Sequence, residues 1–113
     1  MTDQLPALPY PKPTAQIEPY VEAFGIELAI TFLLQFGGAE LYVAKDPRGR
    51  SQLEALVGPE RAKALGANDH RLQRRVPLAK PWLAACFATL GMGTAEIART
   101  LRVSDTSVRK WLK

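Results

Sequence analysis

TAEIARTLRVSDTSVRKWLK, residues 94–113, is the stretch whose reading decides the fold. Taken with a helical period, its apolar residues fall at Ile97, Ala98, Leu101, Val103, Val108, Trp111 and Leu112. The period breaks between Leu101 and Ser104, so one helix becomes two short ones, over 94–101 and 105–112. Ser104 suits an N-cap, because its hydroxyl can accept from the free amides of Thr106 or Ser107. A tight turn at Arg102 and Val103 joins the two, giving a helix-turn-helix, a motif that sets its second helix into the major groove of DNA. Ala98 stands where the helices cross, and a larger side chain there would push them apart. Ile97, Leu101, Val103, Val108 and Trp111 close the small core. The opposite face carries Ser104, Asp105, Thr106, Arg109, Lys110 and Lys113, the hydrogen-bonding and charged groups that base edges and phosphates require. Arg102 occupies the turn position usually held by Gly, where a positive φ strains a non-Gly residue by about 1 kcal/mol.

The stretch before it, PWLAACFATL at 81–90, is an apolar helix with Pro at its start. It reads as the first helix of a three-helix unit over 81–113, with Trp82, Leu83, Cys86, Phe87 and Leu90 packing under the helix-turn-helix. Gly91 and Gly93 end it, and Thr94 caps the next helix. Residues 68–80, NDHRLQRRVPLAK, read as a basic linker in which Arg71, Arg74, Arg75 and Lys80 can lie along phosphates. A solvated hinge is the plain alternative. His70 reads as an exposed loop residue.

The front half is oily. Residues 18–36, EPYVEAFGIELAITFLLQF, read as helix, bent or broken at Gly25. Val21, Phe24, Leu28 and Phe32 line one face, and Ile26, Ile30, Leu33 and Leu34 spread around the others. A helix apolar on most sides must be buried on most sides, and a second subunit is the expected cover. Gly37 and Gly38 stop it. AELYVAK at 39–45 then alternates as a short strand, with Leu41 and Val43 on one side and Glu40 and Tyr42 on the other. A lone strand needs a partner. Pairing with its symmetry mate in a two-fold dimer is the expectation, and pairing with LQRRVPL at 72–78 of the same chain is the alternative. Ser51 to Glu54 has capping-box spacing and opens a short helix through Val57. Gly58 ends that helix and Pro59 opens the next. FGIELA at 24–29 recurs faintly as VGPERA at 57–62, which implies two related helix-turn-helix-like or helix-Gly-helix units rather than a solenoid.

Composition bounds the rest. At 113 residues the chain makes one domain or two very small units, and 47% hydrophobic content suits a folded protein. Pro6, Pro9, Pro11 and Pro13 make residues 1–16 an extended arm, either a leader or a Pro-rich ligand. No stretch approaches a membrane span, and the start lacks the basic and apolar runs of a signal peptide. One Cys, Cys86, rules out an internal disulfide and fits a reducing compartment, so the cytoplasm is the expected location. With a single His, neither a Cys/His metal cluster nor a Ser/His triad is expected, and no cofactor or enzyme activity is assigned. Residues 1–70 carry 6 Lys/Arg against 9 Asp/Glu, and residues 71–113 carry 9 against 2. Such asymmetry marks a basic nucleic-acid module joined to a module with another task.

Phe36-Gly37-Gly38-Ala39-Glu40-Leu41-Tyr42-Val43, with Gly25-Ile26-Glu27 before it and AEIARTLRVSDTSVRKWL at the end, resembles the Mor transcription activator family of phage middle-operon regulators. The likeness spans residues 17–113. The FGG-strand block is fairly specific, and the helix-turn-helix block is shared by many families. Arg102 at the turn Gly and Ala44, where the family often has Pro, are departures. The resemblance implies an N-terminal dimerisation domain with strands paired between subunits, a C-terminal DNA-binding domain, and activation of phage promoters through bacterial RNA polymerase.

The expectation is therefore a mainly α protein: arm 1–16, dimerisation domain 17–67 with one short strand paired between subunits, linker 68–80, and helix-turn-helix domain 81–113. Its partners are double-stranded DNA, a second copy of itself and RNA polymerase, with no membrane. Ser104, Asp105, Thr106, Arg109, Lys110 and Lys113 face DNA, joined by Thr94, Arg99, Arg71, Arg74 and Arg75. Asp105 can accept from cytosine and repels phosphate, which suits either the groove or simple capping. Phe24, Leu28, Phe32, Leu41, Tyr42 and Val43 form the dimer interface. Two recognition helices would read an inverted repeat about one helical turn, roughly 34 Å, apart or a multiple of it. Competing readings are a DNA-packaging subunit, such as a small terminase subunit, and a helix-turn-helix adaptor that binds only protein. A recombinase fragment lacks the clustered acidic or Ser/His groups it would need.

Overall fold

A computed structural model describes residues 10–40 and 52–113 of the chain. The described residues are mainly helical, and they divide into two compact units, one over Pro13–Ala79 and one over Lys80–Lys113 with residues 10–12. None of their helices is long and apolar enough to cross a membrane.

In the first unit, the apolar run of residues 18–36 forms two helices, α1 (Glu18–Phe24) and α2 (Ile26–Phe36). Gly25 parts them at φ 83°, ψ 158°, a conformation open to glycine and strained for any other residue. The bend lets α1 fold back on α2 and also pack on α4 (Pro59–Gly66). Before α4, α3 (Gln52–Val57) ends at Gly58, whose φ 89°, ψ 160° repeat those of Gly25. The faint sequence repeat is thus a structural one. Burial recurs with it: Tyr20 and Leu53, Phe24 and Val57, Ala29 and Ala62, and Phe32 and Leu65 stand at matching positions, and all eight are buried.

Four aromatic rings hold the centre. Phe32 lies 5.2 Å from Tyr20, 5.1 Å from Phe24 and 5.1 Å from Phe36, centroid to centroid. Burying each such ring contributes about 1.5–3 kcal/mol. This corrects the expected dimer interface, because Phe24 and Phe32 are 4% and 0% exposed within their own chain. The helix pair α1 and α2, with α4, supplies the cover that a second subunit was expected to give. Leu28 is half-buried. Leu41, Tyr42 and Val43 lie outside the described residues, as does Ser51 of the expected capping box.

At the mouth of the expected strand, Glu40 forms an antiparallel bridge with Arg75 of the same chain. The Gly38 amide donates to the Val76 carbonyl at 2.7 Å, and the Val76 amide to Ala39 at 2.9 Å. The alternative partner, LQRRVPL, is therefore the one Glu40 meets. Residues 68–79 are not strung out as a linker. They carry a 3-10 turn at Asp69–Arg71, bury Val76, and close over Gly37, where a Cβ would come 3.3 Å from the Leu78 Cα.

The second unit has three helices: α5 (Lys80–Thr89), α6 (Thr94–Leu101) and α7 (Asp105–Trp111). Each packs on the other two. Trp82, Leu83, Ala84, Cys86 and Phe87 of α5 are buried with Ile97, Ala98, Leu101 and Val108. Leu90, expected in that core, is 47% exposed, because it falls just past the end of α5. Burial pushes the Cys86 thiol up to about 12, so it behaves as a small hydrophobe. The arm also takes part: the Trp82 indole N–H donates to the Pro11 carbonyl at 3.0 Å. Residues 10–12 therefore lie against α5.

Candidate nucleic-acid interface

Helix α6 ends because Arg102 turns left-handed, at φ 61°, ψ 47°. Its amide donates to Arg99 at 3.4 Å, and the Val103 amide reaches back to the Ala98 carbonyl at 3.0 Å. These two bonds satisfy carbonyls that the helix end would leave open. Ser104 then restarts the helix in extended backbone, its Oγ accepting from the Ser107 amide at 3.1 Å. Ser107 is the partner among the two amides within reach of that hydroxyl. Ala98 is buried at the bend, as a close crossing needs.

Val108, fully buried, fixes which way α7 faces. With Val108 inward, the 3.6-residue period leaves Asp105, Thr106, Arg109, Lys110 and Lys113 on the outside, and all five are exposed. Ser104 is exposed beside them, and Trp111 is half-buried at the edge of the core. Within this face the Arg109 guanidinium donates to the Thr106 hydroxyl at 3.5 Å. Arg99 is exposed on α6. Thr94 is half-buried and does not cap: α6 is entered from Gly93 with no side-chain cap, and Thr94 is its first helical residue.

The first unit's Arg71, Arg74 and Arg75 differ in their pairing from the cations of the second unit. In the first, Arg71 holds Glu22 through two hydrogen bonds, Nη1 to Oε1 at 2.7 Å and Nη2 to Oε2 at 3.2 Å. Arg74 Nε lies 2.9 Å from Glu40, with Arg75 at 3.7 Å from the same oxygen and also donating to the Gly38 carbonyl at 3.1 Å. All three arginines of the expected DNA-facing linker thus carry a carboxylate of their own chain. In the second unit Lys80, Arg99, Arg102, Arg109, Lys110 and Lys113 have no carboxylate partner among the described residues. Residues 13–79 hold eight Lys/Arg and eight Asp/Glu, while residues 80–113 hold six and two, so the chain's net charge of +4 resides wholly in 80–113.

Arg102 joins this group without having been expected there. As a departure from the turn Gly it stands out for strain, yet its charge is the plainer signal, since it is exposed and, among the described residues, has no carboxylate partner. Among the described residues no three His, Cys, Asp or Glu side chains converge to hold a metal ion. No family model, curated protein or solved structure matches the chain.

Proposed function

We propose that this protein is a homodimeric, sequence-specific DNA-binding regulator of transcription, with α7 as the helix that enters the major groove. The observation that carries the reading is where the charge stands. Among the described residues, six cations without a carboxylate partner surround a helix-turn-helix, while Arg71, Arg74 and Arg75 of the other unit are matched by carboxylates. An unpaired cation on such a face finds its counter-charge in phosphate, with release of the counterions held there. Arg109, Lys110 and Lys113 serve as direct or phosphate contacts, Ser104, Asp105 and Thr106 as base-edge or backbone contacts, and Thr94, Arg99 and Arg102 as flanking ones. Arg71, Arg74 and Arg75 have a smaller share than composition alone assigns them.

A recognition helix of seven residues reaches few bases, and two copies on an inverted repeat double the contacts. The first unit is the proposed site of association. With Phe24 and Phe32 already enclosed, its exposed large hydrophobic side chains among the described residues are Leu34 and Leu78, 44% and 55% exposed. The resemblance to the Mor activators extends the proposal to strand pairing through residues 41–43, and to activation of phage or prophage genes through bacterial RNA polymerase in the host cytoplasm.

Selection of bound sites from random duplex DNA, with the oligomer mass measured on the same sample, tests this. An inverted repeat and a dimer mass are expected. No binding to any duplex at low salt would leave the protein-interaction adaptor. A ring of more than two subunits would favour the DNA-packaging subunit.

A further inference from the structure

We propose, resting on the DNA-binding reading above, that Asp105 and Arg109 act as a couple that reads a cytosine and a nearby guanine in the major groove. No ion pair forms between Asp105 and Arg109. Asp105 is the first residue of α7 and Arg109 stands four residues on, so the two share one face. An acid four residues before a base is the spacing that closes an exposed helical ion pair. Here the Asp105 side chain has no hydrogen-bond or ion-pair partner among the described residues, and the Arg109 guanidinium turns to the Thr106 hydroxyl instead. Both side chains are exposed.

Capping does not account for the carboxylate, because Ser104 already holds the Ser107 amide. Plain attraction to DNA does not either. A negative charge set beside Arg109, Lys110 and Lys113 weakens every phosphate contact near it. Its place in the first turn favours the helix, yet any acid at that turn does so without leaving Arg109 open.

Base readout accounts for both groups at once. A carboxylate accepts from the cytosine N4 amino group, and a guanidinium donates two parallel bonds to guanine O6 and N7. Four residues of helix separate the two positions by about 6 Å along the axis. That is a little under two base-pair steps of about 3.4 Å each. The couple fits C and G on neighbouring or next-neighbouring pairs. Thr106, through its contact with Arg109, is the positioning residue.

The test is selection from random duplex DNA with the full chain, wild type against Asp105→Asn. The wild-type pool is expected to fix a C within two positions of a G. The Asp105→Asn pool should keep the G and lose preference for C by roughly fivefold or more. Asp105→Asn should also bind unselected duplex at least as tightly as wild type, since a repulsive charge is gone. Arg109→Ala should lose the G. Far-UV circular dichroism checks that the variants stay helical, and Asp105→Ser, with the same expectation, replaces any that does not. Wild-type and Asp105→Asn pools that agree at every position overturn the couple while DNA binding stands. A wild-type chain that enriches no sequence overturns both.

Discussion

Gly91 and Arg102 close consecutive helices with the same pair of hydrogen bonds. At the end of α5 the Gly91 amide donates to Ala88 and the Met92 amide to Phe87, both at 3.0 Å. At the end of α6 the Arg102 amide donates to Arg99 and the Val103 amide to Ala98. Both residues take positive φ, 92° at Gly91 and 61° at Arg102, and only the glycine does so without strain. Arg102→Gly should therefore stabilise the fold by about 1 kcal/mol, read as a higher urea midpoint at unchanged m value. Gly91→Ala should cost a comparable amount through backbone strain alone, since nothing lies within 4 Å of the added Cβ. A midpoint that falls for Arg102→Gly would mean the turn carries no strain.

Gly25 and Gly58 pose a sharper demand. Their ψ values near 160°, combined with positive φ, lie in a region that other residues scarcely visit. No atom stands within 4 Å of a Cβ at either position, so crowding does not enter. Gly25→Ala and Gly58→Ala should each cost about 1–3 kcal/mol, and by similar amounts, in denaturant unfolding. Unequal costs would show that the two helix-Gly-helix units differ more than their backbones do.

The helix-turn-helix was legible because its signals are local: a broken period, a Ser cap, and an Ala at the crossing all lie within a few residues of one another. The helix-Gly-helix repeat was legible for the same reason. The fate of Phe24 and Phe32 was not. An apolar helix announces that it must be covered but not by what, and α1 and α4 approach from elsewhere in the sequence. The arginines at 71–75 misled in a related way. Composition counts charges, and Glu22 and Glu40, which answer them, stand 49 and more than thirty residues away in sequence. Pairing of that range leaves no local trace. The carboxylate missing from the side of Arg109 is equally invisible in a string that offers Asp105 at the right spacing.

Hydrogen bonds from the Arg71 guanidinium hold the Glu22 carboxyl below its usual value of 4.5. A carboxylate with a depressed value in the fold lends stability above its unfolded value, and that stability goes as pH falls through the lowered one. Wild type should therefore be modestly more stable than Glu22→Gln at neutral pH. The difference should shrink below about pH 4.5 and disappear once Glu22 is protonated in the fold as well. The pair is exposed, so salt should also shrink it. Urea midpoints of both proteins, taken across acid pH at low and high salt, check the sign. A difference that grows on acidification would contradict it.

Arg74 and Lys110 should part company in salt titrations of DNA binding. Each phosphate contact contributes about 0.9 to the slope of log affinity against log salt on duplex DNA. Lys110 is exposed on α7 with no carboxylate partner among the described residues, so Lys110→Ala should flatten the slope by about that much and weaken all sequences alike. Arg74 has Glu40 at 2.9 Å, which leaves little net charge for a phosphate to gain. Arg74→Ala should leave the slope within about 0.3 of wild type, well under one phosphate's worth. Removing the counter-charge tests the cause: Glu40→Gln frees both Arg74 and Arg75 and should steepen the slope. Equal flattening by Lys110→Ala and Arg74→Ala would show that the ion pair opens on DNA, and that the basic stretch at 71–75 belongs to the interface after all.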